Sequence, residues 1–196
     1  MADLDDITKI LIEGFLEEPM DNYCYPFRFK YTEDHFRWLR EEYAYYLDNP
    51  QKYLVHVAQP SEQSEGAKSV ALADLIDRGL DQRKDANKKR VEAYVNVTNR
   101  HYEPHGFVYE WAEKQITISV LTVLPDFRRH GVGTMMTEWG MNATTEKGWP
   151  VTVCAIPMGQ LLYAHLKFEI IGTEVVRAED EEESFSSAAM VFSPKV

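Results

Sequence analysis

The stretch that most constrains this chain is Gln115–Thr134, QITISVLTVLPDFRRHGVGT. In its first half Ile116, Ile118 and Val120 alternate with Thr117 and Ser119, the period-two pattern of a half-buried strand. The phase then slips by one residue, because Leu121 and Val123 form the next apolar pair. Within a continuing strand such a slip turns every later side chain to the other face. A β-bulge accommodates it, and a bulge splays strands and leaves backbone N–H and C=O groups open to a ligand. Pro125 ends the strand, and Arg128-Arg129-His130-Gly131-Val132-Gly133 leads into a helical pattern. Gly131 and Gly133 allow close backbone approach and positive φ. A helix N-terminus offers N–H groups at the positive end of its dipole, which suits a phosphate. The pattern is not a dinucleotide fingerprint, whose third glycine would fall at Met136, nor a Walker loop, which needs Gly-Lys-Ser/Thr. Taken alone it is equally the pattern of a plain turn with a helix start.

A length of 196 residues suits one domain with a sizeable core. No apolar run approaches a membrane span, and no basic-then-apolar leader opens the sequence. Cys24 and Cys154 stand far apart without metal-type spacing, so reduced thiols and a cytoplasmic protein are expected. The formal net charge of −11 opposes nucleic acid and anionic membranes as partners. It suits a cationic amine mildly, and solubility alone also accounts for it.

Taken in order, Asp5 or Asp6 can cap a first helix with Ile7, Ile10, Leu11 and Phe15 on one face. Residues 17–30 read as a loop rich in aromatics. Thr32 then caps a second helix carrying Phe36, Leu39, Tyr43 and Tyr46, stopped by Asp48-Asn49-Pro50. Tyr53–Ala58 and Val70–Leu75 read as a hairpin around a polar turn. An inserted amphipathic helix is expected at about 78–104, with Val91, Tyr94, Val95 and Thr98 as its stripe. Its charge run reads as a solvated face, with a lid as the sharper option. His101, His105 and Glu110 match no metal template. After Gly133 a helix presents Val132, Met135, Met136, Trp139 and Ala143, with the methionines as core. Val151–Ala155 is the next strand. Pro157 and Gly159 open a short helix with Leu161, Leu162 and Leu166. Phe168–Val176 and Ser187–Phe192 are the last strands, around the acidic turn Ala178–Ser184. The sum is a mixed α/β domain, with a mostly antiparallel twisted sheet and helices on both faces.

Arg128-x-x-Gly131-x-Gly133, after Leu121-Thr122-Val123-x-Pro125, resembles the acetyl-CoA motif of the GNAT superfamily of N-acetyltransferases. Leu162-Tyr163-Ala164-His165-Leu166-Lys167-Phe168 is similar to that family's second block, commonly Leu-Tyr-Glu-Lys-Leu-Gly-Phe. The Trp139-Gly140 helix and the Ala155–Gly159 turn are similar to filamentous-fungal members. The resemblance implies a single GNAT-like domain over residues 1–196, whose bulged central strand splays from its neighbour to admit acetyl-CoA. The first strand of that fold is expected to be short or absent here. Leu121, Thr122 and Val123 would face the pantetheine arm, with the Leu121 N–H polarising the thioester carbonyl. Arg128, Arg129, His130, Gly131, Val132, Gly133 and Thr134 would cradle the pyrophosphate. Tyr163 would contact the cofactor and protonate the leaving sulfur. Tyr23, Tyr25 and Phe27 become candidates for acceptor contact, against a role in packing.

The implied activity is acetyl transfer from acetyl-CoA to a primary amine, of a small molecule, in a monomer or homodimer. A non-catalytic acyl-CoA-binding domain and a protein or peptide acetyltransferase are the rivals. The base is not visible. The position that is Glu in histone-type members falls at about Thr117, leaving Glu110, His105 and Asp74 as alternatives beside ordered water. Lys167 stands where the family prefers Gly, at a cost of roughly 1 kcal/mol if its φ is positive. Ile156 stands where Asn is frequent.

Overall fold

The computed structural model describes residues 4–50, 79–101, 103, 105–108, 114–145 and 147–194. The expected hairpin of Tyr53–Ala58 and Val70–Leu75, Asp74 and Glu110 lie outside them. Helix α1 (Leu4–Gly14) carries Asp5 and Asp6 in its first turn, where the dipole favours them, and buries Ile7 and Leu11. These meet Tyr43 and Tyr46 of α3 (Thr32–Asp48), whose rings lie edge to face at 5.1 Å. Thr32 is the first helical residue of α3 rather than its cap, and Phe36 and Leu39 stay half-buried. The helix stops where expected, with the Asn49 side chain donating back to the Tyr45 carbonyl at 2.8 Å. Between them the aromatic segment is not all loop. It holds the short helix α2 (Pro19–Cys24), opened by Pro19 at a position where the missing N–H is an orphan anyway.

The inserted helix is shorter than expected. A 3₁₀ turn spans Leu80–Gln82, and α4 runs only over Lys88–Arg100, capped by the Asn87 side chain accepting the Arg90 N–H at 3.3 Å. It buries Val91 and Val95 as expected and Val97 in addition. The polar run before it is not simply solvated. Asp85 is fully buried, accepts from Arg83 at 2.6 and 3.0 Å, and pairs with His35 Nδ1 at 2.6 Å. Burial alone would raise the Asp85 carboxyl, but the hydrogen bonds from His35 and Arg83 outweigh it and hold the group at about 2. This pins the insertion to α3. Arg90 likewise meets Glu181 at 2.5 Å and Glu183 at 2.7 Å, so the acidic turn docks on α4 rather than standing free in solvent.

Strands β1 (Ile116–Ile118), β2 (Val151–Ala155), β3 (Glu169–Val176) and β4 (Phe185–Phe192) form a sheet in the order β1-β2-β4-β3. The β1–β2 pair is parallel and the other two pairs are antiparallel. On β4, Phe185 joins the core of α2 and α4, with Tyr23, Val91 and Val95. Ala188 and Met190, of opposite parity, join Val151, Val153 and the helix α6 (Pro157–His165) instead. Opposite parity means opposite faces, so the mixed α/β sheet is covered by helices on both sides. Among the described residues no helix is long and apolar enough to cross a membrane.

Candidate active site

β1 pairs with β2 only through Ile118↔Val153, while β2 continues to Ala155 against β4. The phase slip therefore falls after the described strand has ended, not in a bulge within it. Val120 is exposed rather than in phase, and the register shift of this sheet lies in β3, between Ile170 and Gly172. Leu121 packs against the core cluster that includes Val153 and Tyr163. The parallel ladder thus ends at Ile118, where the opening between the two strands is expected.

Arg128 has a different role from the one expected. Its N–H donates to the Pro125 carbonyl at 3.1 Å, closing a 3₁₀ turn over Pro125–Phe127. Its guanidinium donates to the Val123 carbonyl at 3.1 Å and to the Gly14 carbonyl at 2.8 Å. Arg128 thereby ties the extended segment to the end of α1, with its own backbone N–H already spent on Pro125. Gly14 is needed at that junction, because a Cβ there would fall 2.0 Å from Thr122 Oγ1.

The residues after it fit the cradle. Arg129 and Gly131 take positive φ, 64° and 82°, and α5 (Val132–Thr145) begins with Met135 N–H donating to the Gly131 carbonyl at 2.9 Å. No acceptor for the N–H groups of Arg129, His130, Gly131, Val132, Gly133 or Thr134 occurs among the described residues. Alternating left- and right-handed residues turn such groups to one side, making a concave anion seat. A Cβ on Gly131 would meet nothing within 4 Å, so this face is open. A phosphate group would suit such a seat, and Arg129 to Thr134 are the residues that could hold it. The buried face of α5 is Thr137, Gly140 and Thr144, not the expected methionine stripe, and Met135 is exposed. Both hydroxyls bond carbonyls of their own helix, Gly133 and Met141, at 2.9 and 2.8 Å. Small side chains without unmet polar atoms let this helix lie close to the sheet.

The two sequence blocks meet at Gly133. A Cβ there would lie 3.2 Å from Leu162 Cδ2 and 3.9 Å from Val123 Cγ2. Tyr163, next to Leu162 on α6, is 4% exposed and packs on Phe168 at 5.3 Å. Burial raises its hydroxyl well above the usual tyrosine range, so it stays protonated at neutral pH. Ile156 stands at the N-cap of α6 without a side-chain bond, and Pro157 follows at the first position. At the other end Lys167 takes φ 69°. Phe168 N–H reaches the Tyr163 carbonyl at 2.9 Å and Lys167 N–H the Ala164 carbonyl at 3.1 Å, a Schellman motif closed by the Phe168–Tyr163 contact. The strain expected at Lys167 is therefore real. Lys167→Gly should stabilise the protein by about 1 kcal/mol, read as a raised denaturation midpoint at unchanged m.

The aromatic candidates separate. Tyr23 is core, 2% exposed, its hydroxyl accepting the Ala178 N–H at 2.7 Å and its ring edge on Phe185. It has no surface to offer an acceptor, so packing replaces the expected contact. Tyr25 is half-buried under the Arg83 guanidinium at 4.4 Å and lines a cavity of about 450 Å³ with Trp38, Glu42 and Leu80. No residue of Arg128–Thr134 lines that cavity. Phe27 is exposed, held by its N–H on the Asp85 carbonyl at 3.1 Å. Sequence reasoning passed over Glu18 and Asp21, both buried. Glu18 immediately before Pro19 was the available signal, a helix-start pattern inside a segment read as loop.

No family model matches the sequence. An acetyltransferase from the fungus Stachybotrys chartarum is 21% identical over 212 aligned positions, covering 98% of this chain and 88% of the relative. Among solved structures, a GCN5-related N-acetyltransferase from Rhodopseudomonas palustris matches 39% of this chain at 22% identity, with a TM-score of 0.34. Arylalkylamine N-acetyltransferase 2 from Aedes aegypti matches 62% at 11% identity, with a TM-score of 0.44. The chain spans 48% and 61% of those two structures. The chain is thus similar over nearly its whole length to a filamentous-fungal acetyltransferase.

Proposed function

We propose that this chain is an acetyl-CoA-dependent N-acetyltransferase that acetylates a primary amine of a small molecule. One observation carries the reading. Arg129–Thr134, whose N–H groups lack acceptors among the described residues, meet Val123 and Leu162 at Gly133, and Leu121 and Leu162 pack against the core cluster that holds the protonated Tyr163. The name of the fungal relative supports the acetyl-transfer part. When bound, acetyl-CoA supplies an activated acetyl thioester. Arg129–Thr134 anchor the pyrophosphate and Leu121–Val123 line the arm. Tyr163 holds the proton that the departing sulfur needs, in a setting that keeps the hydroxyl from ionising. The docking of Glu181 and Glu183 on Arg90 leaves less free negative charge for a basic peptide, which favours a small acceptor.

Calorimetric titration with acetyl-CoA, followed by thiol release against a panel of amines, tests this. Binding with release on one amine class is the expected result. Tyr163→Phe should then lower kcat by about 10²-fold while the acetyl-CoA Kd stays within twofold. Binding without release on any amine would favour the acyl-CoA-binding reading, and absence of binding would end both.

A further inference from the structure

Helix α3 buries Tyr43 and Tyr46 against α1. A second stripe of the same helix, Trp38, Glu41, Glu42, Tyr45 and Asp48, recurs at steps of three and four residues and so shares one face. With Tyr25 that stripe lines the cavity of about 450 Å³. The insertion contributes Leu80, Arg83 and Val91 to its wall. A volume in this range suits a small molecule. None of the described lining residues belongs to Leu121–Val123, Arg129–Thr134 or α6, so the cavity is separate from the acetyl-transfer residues.

Three aromatic rings and three carboxylates line this cavity, against one cation, Arg83. The charge of Arg83 is already spent, because its guanidinium donates to the buried Asp85 at 2.6 and 3.0 Å. It lies 4.4 Å from the Tyr25 ring centre and 5.9 Å from that of Trp38, so these rings already receive a cation. Glu42 accepts the Tyr46 hydroxyl and Glu41 approaches Arg37 at 3.7 Å. Asp48 is exposed and has no ion pair among the described residues. The wall therefore offers ring faces and a negative field more than directed acceptors, which suits a cation without N–H groups. One donor is left over. Trp38 Nε1 is buried and has no hydrogen-bond partner. A buried donor of this kind calls for an acceptor. We propose that this cavity is a second ligand site, for a small quaternary ammonium that carries a hydroxyl or carbonyl oxygen. The cation lies among the rings and the carboxylates of Glu41, Glu42 and Asp48, and the oxygen accepts from Trp38 Nε1. A quaternary nitrogen has no lone pair with which to attack a thioester, so the ligand is held here and not acetylated on nitrogen. Its occupancy fastens the insertion to α3, since both supply the wall.

Choline chloride is the probe. The alcohol 3,3-dimethylbutan-1-ol has its shape without the charge, and tetramethylammonium chloride has the charge without the oxygen. Each gives a sharp methyl signal in proton NMR, whose broadening on the full chain reads the affinity. Choline should bind about tenfold more tightly than the neutral alcohol and about fivefold more tightly than tetramethylammonium. Trp38→Phe keeps a ring and removes the N–H. It should weaken choline about fivefold and leave tetramethylammonium within about twofold, erasing the preference between the two cations. Asp48→Asn, at an exposed position, should weaken both cations about threefold and leave the alcohol unchanged. Saturating acetyl-CoA should leave choline binding unchanged. No choline binding, equal binding of the neutral alcohol, or variants that bind as wild type does would each overturn the proposal. Displacement of choline by acetyl-CoA would also overturn it, by placing the cation in the transfer site.

Discussion

Arg128→Ala should destabilise the protein by about 3 kcal/mol, from two charge-assisted hydrogen bonds to the Val123 and Gly14 carbonyls. For a chain of 196 residues that lowers Tm by roughly 6–12 °C. The weaker approach to Glu17, at 3.8 Å with Glu17 largely exposed, adds little. Arg128→Lys should recover only part of the loss, because one ammonium cannot reproduce the fork that spans two carbonyls. The acetyl-CoA Kd should weaken modestly, and only through movement of Leu121–Val123. Thermal melts and calorimetry on the same variant separate this from a phosphate-binding arginine. Unchanged Tm with a large loss of acetyl-CoA affinity would assign the guanidinium to the cofactor. Arg129→Ala makes the useful contrast. That side chain is exposed at the lip of the anion seat, so its loss should leave Tm unchanged.

The contrast between Arg128 and its neighbours shows what a linear pattern can carry. Backbone requirements are written locally. Gly131 takes positive φ and the helix starts after it, as the glycine pattern allows, and Lys167 takes the left-handed position that the family resemblance implied. Side-chain roles depend on what the chain brings in from far away. The partner of Arg128 is Gly14, more than a hundred residues earlier, and no pattern near Arg128 announces it. The same holds for Arg83, Asp85 and His35, where a polar run looked solvated until α3 folded over it. Hydrophobic periodicity failed on α5 for a related reason. Its buried face is Thr137, Gly140 and Thr144, whose hydroxyls are satisfied within the helix, so small polar residues pack where methionines were expected. The period-two strands fared better, because β2 and β4 sit in the middle of the sheet and bury nearly every residue.

Asp21→Asn should stabilise the protein at pH 8 and flatten its pH dependence. The Asp21 carboxyl is raised from 3.8 to about 7, chiefly by burial. Between those values the folded chain keeps a proton that the unfolded chain has released. Stability from this group is therefore present in full below pH 4 and is lost as pH rises through about 7. At 1.36 kcal/mol per unit the loss is on the order of 4 kcal/mol by pH 8. Asparagine keeps the shape and removes the charge. Arg28 is not stranded by the change, since its donors already go to three carbonyls and Asn22 Oδ1. Denaturant midpoints at pH 5 and pH 8 give the measurement. Wild type should lose stability across that interval and Asp21→Asn should lose far less. Asp85 supplies the opposite limb, because its carboxyl is held at about 2 and its contribution fades only as pH falls below the unfolded value. An Asn variant that tracks wild type at both pH values would mean that Asp21 is solvated in the folded chain.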